Sequence, residues 1–239
     1  MTDILRAGLA KLCEDDSDTA ALVAPRLETV VSLLEKYIAE IELFNGAYGL
    51  VSAGSREELV TRHILDSLAP LGILARALAG TEAPAIADAG SGAGLPGIPL
   101  AICLAPARAS LTLIDRMGRR AGFLRNTLAI LGLPGLEAEE REIEKAEGGR
   151  FDMVIFRAFR PLEPPVYRAL ARLLRAGGAK SSGPLLAAYK GRMDSVAGEM
   201  RALETALKAG EGPLSWEAPP CPVPFLGEER RLLLIRPGI

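Results

Sequence analysis

The sequence predicts an α/β protein: a mainly parallel sheet covered by helices on both faces, standing behind a helical segment. Three observations predict it. From about residue 84 onward, apolar runs of strand length alternate with helical runs. Residues 1–80 show only the three- and four-residue apolar spacing of helices. A glycine-rich turn joins the first strand to the helix after it. With 49% hydrophobic and 24% charged residues the chain has enough apolar surface for a full core, which argues against disorder.

In chain order, Leu27, Val30, Val31, Leu34, Tyr37, Ile38 and Ile41 recur at helical spacing, so residues 4–41 read as helical. Phe44-Asn45-Gly46-Ala47-Tyr48-Gly49 reads as a break. A further helix is expected from about Glu57 through His63 to Leu68, with Ser55 as its N-cap. Strands are expected at Ala85–Ala87, Leu111–Ile114, Met153–Phe156, Leu185–Ala188 and Leu232–Ile235, with a weak one at Leu136–Glu140. Helices are expected between them at Ile98–Leu104, Gly118–Leu131, Leu162–Leu174 and Met193–Leu207. Alternation at this spacing means parallel strands with both faces covered. Two strands close together near the C-terminus predict an antiparallel edge pair, with Trp216 and the proline-rich Pro219–Pro224 before the last strand. The division is therefore a helical N-terminal extension, 1–80, and a cofactor-binding domain, 81–239, in one compact unit.

The net charge is −2, so no global basic field exists and any nucleic-acid contact must come from local arginine clusters. Cys13, Cys103 and Cys221 lie far apart with no CxxC pair, which argues against disulfides or zinc and for a reducing compartment. Cys103 lies in an apolar run and reads as core. The start lacks a cationic, apolar leader pattern, and no apolar run reaches membrane-spanning length. The expectation is a soluble cytoplasmic protein with no membrane and no metal, acting as a monomer.

Asp88-Ala89-Gly90-Ser91-Gly92-Ala93-Gly94-Leu95-Pro96-Gly97 carries the most information. Four glycines let a ligand approach the backbone, and free amides with a helix N-terminus favour an anionic group. Asp115 closes the next apolar run, where a ribose would need an acceptor. Gly92-x-Gly94-x-x-Gly97 formally fits a dinucleotide fingerprint. Two features favour S-adenosylmethionine instead. Asp88 and Gly90 extend the motif to D-x-G-x-G-x-G, an acid suited to a cationic amino group. Pro96 and Pro99 remove first-turn N–H groups that a diphosphate would use.

On these residues the chain resembles the RsmG (GidB) family of small-subunit ribosomal RNA methyltransferases. Arg62-His63-Ile64-Leu65-Asp66-Ser67-Leu68 is similar to that family's helix before the first strand, and Asp88 to Pro99 to its cofactor loop. Asp115 with Gly118-Arg119-Arg120 and Phe123-Leu124-Arg125, Arg141 with Glu142-Ile143-Glu144, Phe151-Asp152, Arg157-Ala158-Phe159 and Tyr189-Lys190-Gly191 follow in the family's order. Three departures stand out. Gly49-Leu50-Val51 replaces Asn-Leu-Thr, Arg119-Arg120 replaces Lys-Arg, and Ile143 stands where an acid is common.

The resemblance implies a class I SAM-dependent methyltransferase fold, Rossmann-like, with a mainly parallel seven-stranded sheet behind the helical N-terminal extension. It implies methyl transfer from S-adenosylmethionine to N7 of a guanine in 16S rRNA, in the 530 loop near the decoding centre. The partner is then 16S rRNA or the small ribosomal subunit. Guanine N7 carries a lone pair and no proton, so no general base is needed and in-line placement is the main demand. By position the resemblance makes Asp88, Gly90, Gly92, Gly94, Leu95, Asp115, Glu142, Ile143 and Arg157 cofactor-binding residues. Arg157 faces the methionine end or the target base, and Lys190 at the end of the fifth strand reaches a phosphate; these two are the catalytic candidates. Arg116, Arg119, Arg120 and Arg125 form a cluster that reads either as phosphate contacts or as a solvated face.

His63, the only histidine, reads as packed or capping, and Asp66 as structural. Arg168, Arg172 and Arg175 read as an ordinary wet helix face, and Phe44 and Tyr48 as core rather than base-stacking residues. The rivals are a methyltransferase for another RNA or a small molecule, an NAD-dependent oxidoreductase, and a non-enzymatic ribosome-binding protein.

Overall fold

Apolar residues at helical spacing organise the first part of the chain into α1 (Asp3–Asp15), α2 (Ser17–Val23), α3 (Leu27–Tyr48), α4 (Arg56–Leu59), α5 (Asp66–Leu68) and α6 (Leu71–Ala77). The computed structural model describes residues 3–176, 183–207 and 212–238, so Met1 and Thr2, the start of the leader reading, lie outside the described residues. The single helical pattern read over residues 4–41 is divided in two places. Asp16 caps α2 by accepting from the Thr19 N–H at 2.8 Å, and a short turn at Ala24–Arg26 containing Pro25 precedes α3.

The break expected at residues 44–49 is a helix, because α3 runs through Gly46 to Tyr48. Phe44 packs on Tyr48 at 5.5 Å and on Phe123 at 5.9 Å, so core contacts outweigh a glycine penalty of about 1 kcal/mol. The helix ends at Gly49, whose φ of +58° is the left-handed cap that glycine or asparagine accepts. The replacement of the family's asparagine by Gly49 therefore suits the cap. Ser55 caps α4 as expected, accepting from Glu58 N–H at 3.1 Å. The helix over residues 57–68 is interrupted by a π-helical stretch, Val60–Leu65, which the periodicity did not reveal.

The sheet contains β1 (Ala85–Ala89), β2 (Ser110–Asp115), β3 (Leu136–Glu140), β4 (Met153–Arg157), β5 (Leu185–Lys190), β6 (Gly212–Glu217) and β7 (Arg231–Gly238). Their order is β3-β2-β1-β4-β5-β7-β6; β7 runs antiparallel to β5 and β6, and the other pairs are parallel. The helices between them are α7 (Gly97–Leu104), α8 (Gly118–Leu131), α9 (Pro164–Leu173) and α10 (Met193–Ala206). This is the class I SAM-dependent methyltransferase arrangement, with the expected antiparallel strands at one edge. Trp216, read only as preceding the last strand, lies in β6.

Alternation along the strands creates two core layers. Ile86, Leu111, Leu113, Met153 and Ile155 share a layer with the N-terminal helices, α7 and α8. Ala87, Val154, Phe156, Leu186 and Leu233 share the other with α9 and α10. The N-terminal helices thus cover one sheet face as part of the main core. Tyr37 on α3 is fully buried and donates its hydroxyl to Ala93 O at 2.8 Å, so α3 holds the glycine loop.

Candidate active site

Strand order reverses between β1 and β4, and in such sheets the crevice beyond the strands' carboxyl ends is where ligands bind. A cavity of about 510 Å³ opens there. Its floor is Gly90 after β1 and Ile114 and Asp115 at the end of β2. One wall is Arg141 to Glu144 after β3, and the opposite wall is Ala158, Phe159 and Arg160 after β4. Arg116, Met117 and Arg120 complete it at the start of α8.

Asp115 is 4% exposed and has each oxygen on a backbone amide, Gly92 N at 2.9 Å and Met117 N at 2.9 Å. Each carboxylate oxygen accepts more than one hydrogen bond, so acceptor capacity remains toward the cavity. Ile143 is buried and supplies an apolar wall. Glu142 is tied to Lys145 at 3.0 Å, and Glu144 reaches across to Arg160 at 2.5 Å.

Asp88 lies behind the glycine loop, fully buried. Its Oδ2 accepts from Gly97 N at 2.9 Å at the start of α7, while Oδ1 has no hydrogen-bond partner. Burial is the main cause that pushes its carboxyl up to about 7. The loop amides are not free as the glycine pattern led us to expect. Gly90 and Ser91 donate to Ile114 O, Gly94 and Leu95 to Ser91 O, Gly92 to Asp115 and Gly97 to Asp88. Two buried carboxylates and the loop's own tight turn consume the donors.

The cavity wall brings together Gly90, Asp115, Glu142, Ile143, Arg116 and Arg120 from the sequence-derived residues. Asp88, Gly92, Gly94, Leu95 and Arg157 stand outside that wall. Gly94 has φ of +93°, and a Cβ there would lie 2.5 Å from Ile98, so it serves close packing of the loop on α7. Leu95 is buried in the core. Arg157 turns toward the N-terminal helices and pairs with Asp66 at 2.7 Å. Lys190 pairs with Glu199 at 2.7 Å. On α8, Arg119 lies over the Tyr48 ring at 6.0 Å, Arg120 is 3.8 Å from Asp115, and Arg125 is 3.8 Å from Glu140.

Some residues escaped the sequence. Phe159 covers Gly90 so closely that a Cβ there would be 2.4 Å from the ring, and Arg160 stacks on Phe159 at 4.8 Å. An aromatic just past a strand end carries no periodic signal. Arg168, Arg172 and Arg175 are exposed, as the wet-face reading expects, and two of them also make specific contacts. Arg172 donates to the carbonyls of Ile143, Glu144 and Ala146 at 3.2, 3.2 and 2.6 Å, and Arg175 pairs with Asp152 at 3.0 Å. Carbonyl acceptors brought close by the fold attract guanidinium groups that helical spacing marks only as polar. Among the described residues no cluster of three or more His, Cys, Asp or Glu is placed to hold a metal, and no helix is long and apolar enough to cross a membrane.

Fold and site define the class: a Rossmann-like methyltransferase with a cavity at the β1/β4 switch. A family model described as rRNA small subunit methyltransferase G (GidB) matches residues 30–210. The ribosomal RNA small subunit methyltransferase G of Treponema pallidum is 38% identical over 97% of this chain and 92% of its own length. The Treponema denticola protein of that name is 36% identical over 85% of each chain, and that of Stenotrophomonas maltophilia is 34% identical over 97% and 92%. The chain belongs to the small-subunit rRNA methyltransferase G (GidB) family.

Proposed function

We propose that this chain methylates small-subunit ribosomal RNA from S-adenosylmethionine, with N7 of a guanine in the 530 loop of 16S rRNA as acceptor. The observation that carries the reading is the cavity at the strand switch, where buried Asp115, apolar Ile143 and Gly90 face one another.

The residues fit the cofactor. Its volume of about 510 Å³ lies within the range of roughly 300–1,000 Å³ for small-molecule sites. Asp115 offers acceptors for a ribose and Ile143 an apolar surface for a base, while Asp88, buried behind the loop and outside the cavity wall, has an unpartnered Oδ1 whose charge favours a cationic amino group. The family resemblance assigns the methionine carboxylate or the target base to Arg157, whose guanidinium stands outside the cavity wall on Asp66. When bound, S-adenosylmethionine supplies an activated methyl group on a sulfonium. The chain then has to orient the acceptor and exclude water, and no general base is required of it. Phe159 and Arg160 form the wall closest to Gly90 and present a flat surface to an incoming base. Lys190 serves a phosphate only by leaving Glu199. On this reading the protein works in the cytoplasm as a monomer, without a metal. The occupied loop amides deprive the NAD reading of a diphosphate cradle.

The test is transfer of labelled methyl to small-subunit RNA from cells lacking this gene, followed by borohydride and aniline cleavage and primer extension. One new stop in the 530 loop supports the reading. Incorporation elsewhere redirects the acceptor, and none from folded protein that binds the cofactor overturns it.

A further inference from the structure

We propose that His63 and Asp66 are positioning residues for Arg157, with His63 acting as the neutral imidazole that carries its proton on Nε2. The proposal rests on the reading of Arg157 as a site residue.

His63 lies within the π-helical stretch Val60–Leu65, and Asp66 directly follows it. Such stretches often mark functional sites, because the widened turn re-aims side chains. Here both side chains reach the last residue of β4. The Asp66 side chain is 7% exposed, and each of its oxygens takes one arginine: Oδ2 from Arg157 Nη1 at 2.7 Å and Oδ1 from Arg230 Nε at 2.9 Å. Arg230 is held in turn by Glu228 at 2.9 Å, and Glu228 by Arg62 at 2.8 Å.

The histidine tautomer follows from its partners. His63 Nε2 lies 3.2 Å from the carbonyl oxygen of Ser52, which can only accept, so Nε2 carries the hydrogen. Nδ1 then has a lone pair, and it faces Arg157 Nη2 at 3.4 Å. The Arg157 guanidinium is thereby held by a carboxylate and the Arg62 carbonyl at Nη1 and by a neutral imidazole at Nη2. A second cation at His63 would remove the acceptor and repel Arg157.

Stability alone does not explain the arrangement. Desolvation of buried charges largely offsets their attraction, so such a cluster contributes little to folding. What it sets is the direction of the guanidinium at the strand switch, beside the Asp88 carboxyl that feels its charge. Burial lowers the affinity of His63 for a proton, and Arg157 lowers it further, whereas the Ser52 carbonyl, Asp66 and Glu58 raise it. The net direction is below the ordinary 6.5, which keeps the ring neutral at neutral pH.

The chain has one histidine, so imidazole nitrogen NMR reads His63 without assignment. The expected spectrum at neutral pH is the Nε2–H tautomer, with a protonation midpoint that rises in Arg157→Gln and falls in Asp66→Asn. Titration with S-adenosylhomocysteine should weaken about tenfold in His63→Ala, the size of one lost hydrogen bond to a charged group. His63→Gln, which can donate to Ser52 and accept from Arg157, should restore most of it and remove the additional loss on acidification. An Nδ1–H tautomer, or His63→Ala within twofold of wild type in both affinity and kcat/KM, overturns the proposal. If Arg157→Gln weakens binding or transfer and His63→Ala does not, positioning alone fails. If Arg157→Gln changes neither, the reading of Arg157 fails and positioning falls with it.

Discussion

Asp88 concentrates the chemistry of the site in one side chain. Its burial raises the carboxyl from 3.8 to about 7, so the folded state holds a proton that the unfolded chain has released. The sign follows directly: relative to Asp88→Asn, wild-type stability is greatest below about pH 4 and declines as pH rises through about 7. If a cationic amino group meets Oδ1, it favours the ionised form. Cofactor binding near neutral pH should then release a fraction of a proton, measured by calorimetry in two buffers of different ionisation enthalpy. Equal apparent enthalpies in the two buffers would place the amino group elsewhere. The sequence showed Asp88, Gly90 and Asp115 because acids at strand tips and glycines at a turn have local signatures. The packing of Phe159 on Gly90 was not legible, because it joins residues 69 positions apart.

At the level of elements, the cavity walls are loops held by helices. Arg172 on α9 grips three carbonyls of the loop after β3, which carries Ile143. Arg172→Ala should cost roughly 1 kcal/mol and weaken S-adenosylhomocysteine several-fold, with faster amide exchange confined to residues 143–146. Unchanged exchange there would mean the loop stands by itself. On α8 the arginines divide by position. Arg120 faces the cavity, whereas Arg119 and Arg125 face outward, so the double variant Arg119→Ala, Arg125→Ala separates RNA from cofactor effects. It should leave cofactor affinity intact and reduce the RNA salt slope by about 1.4, at roughly 0.7 per lost phosphate contact. A slope equal to wild type returns this face to solvent. The sequence placed α8 and β3 at their observed bounds, because each is bracketed by turn residues. It missed the end of α3 because Gly46 reads as a breaker while the packing of Phe44 and Tyr48 is tertiary. The π-helical stretch has no apolar period to betray it.

For the whole molecule, the helical extension and the sheet share one core layer, and Tyr37 bonds the glycine loop across it. We therefore expect one cooperative unit rather than a catalytic domain with an appendage. Tyr37→Phe should lower stability by about 1 kcal/mol and also weaken the cofactor, in a single denaturation transition. Two separated transitions would show independent parts. Strand alternation and the terminal pair were legible, since parallel strands buried on both faces are continuous apolar runs. The position of β7 between β5 and β6 was not, because strand order depends on contacts far apart in the chain.

The claim on which all of this stands is that the cavity beside Gly90 holds the methyl donor. Calorimetric titration of S-adenosylhomocysteine into wild type and Gly90→Asp tests it most directly. The carboxylate would displace Phe159 and put a negative charge at the cavity floor. One site per chain in wild type and no binding by the folded variant is the expected result; equal affinity in the two proteins would contradict it.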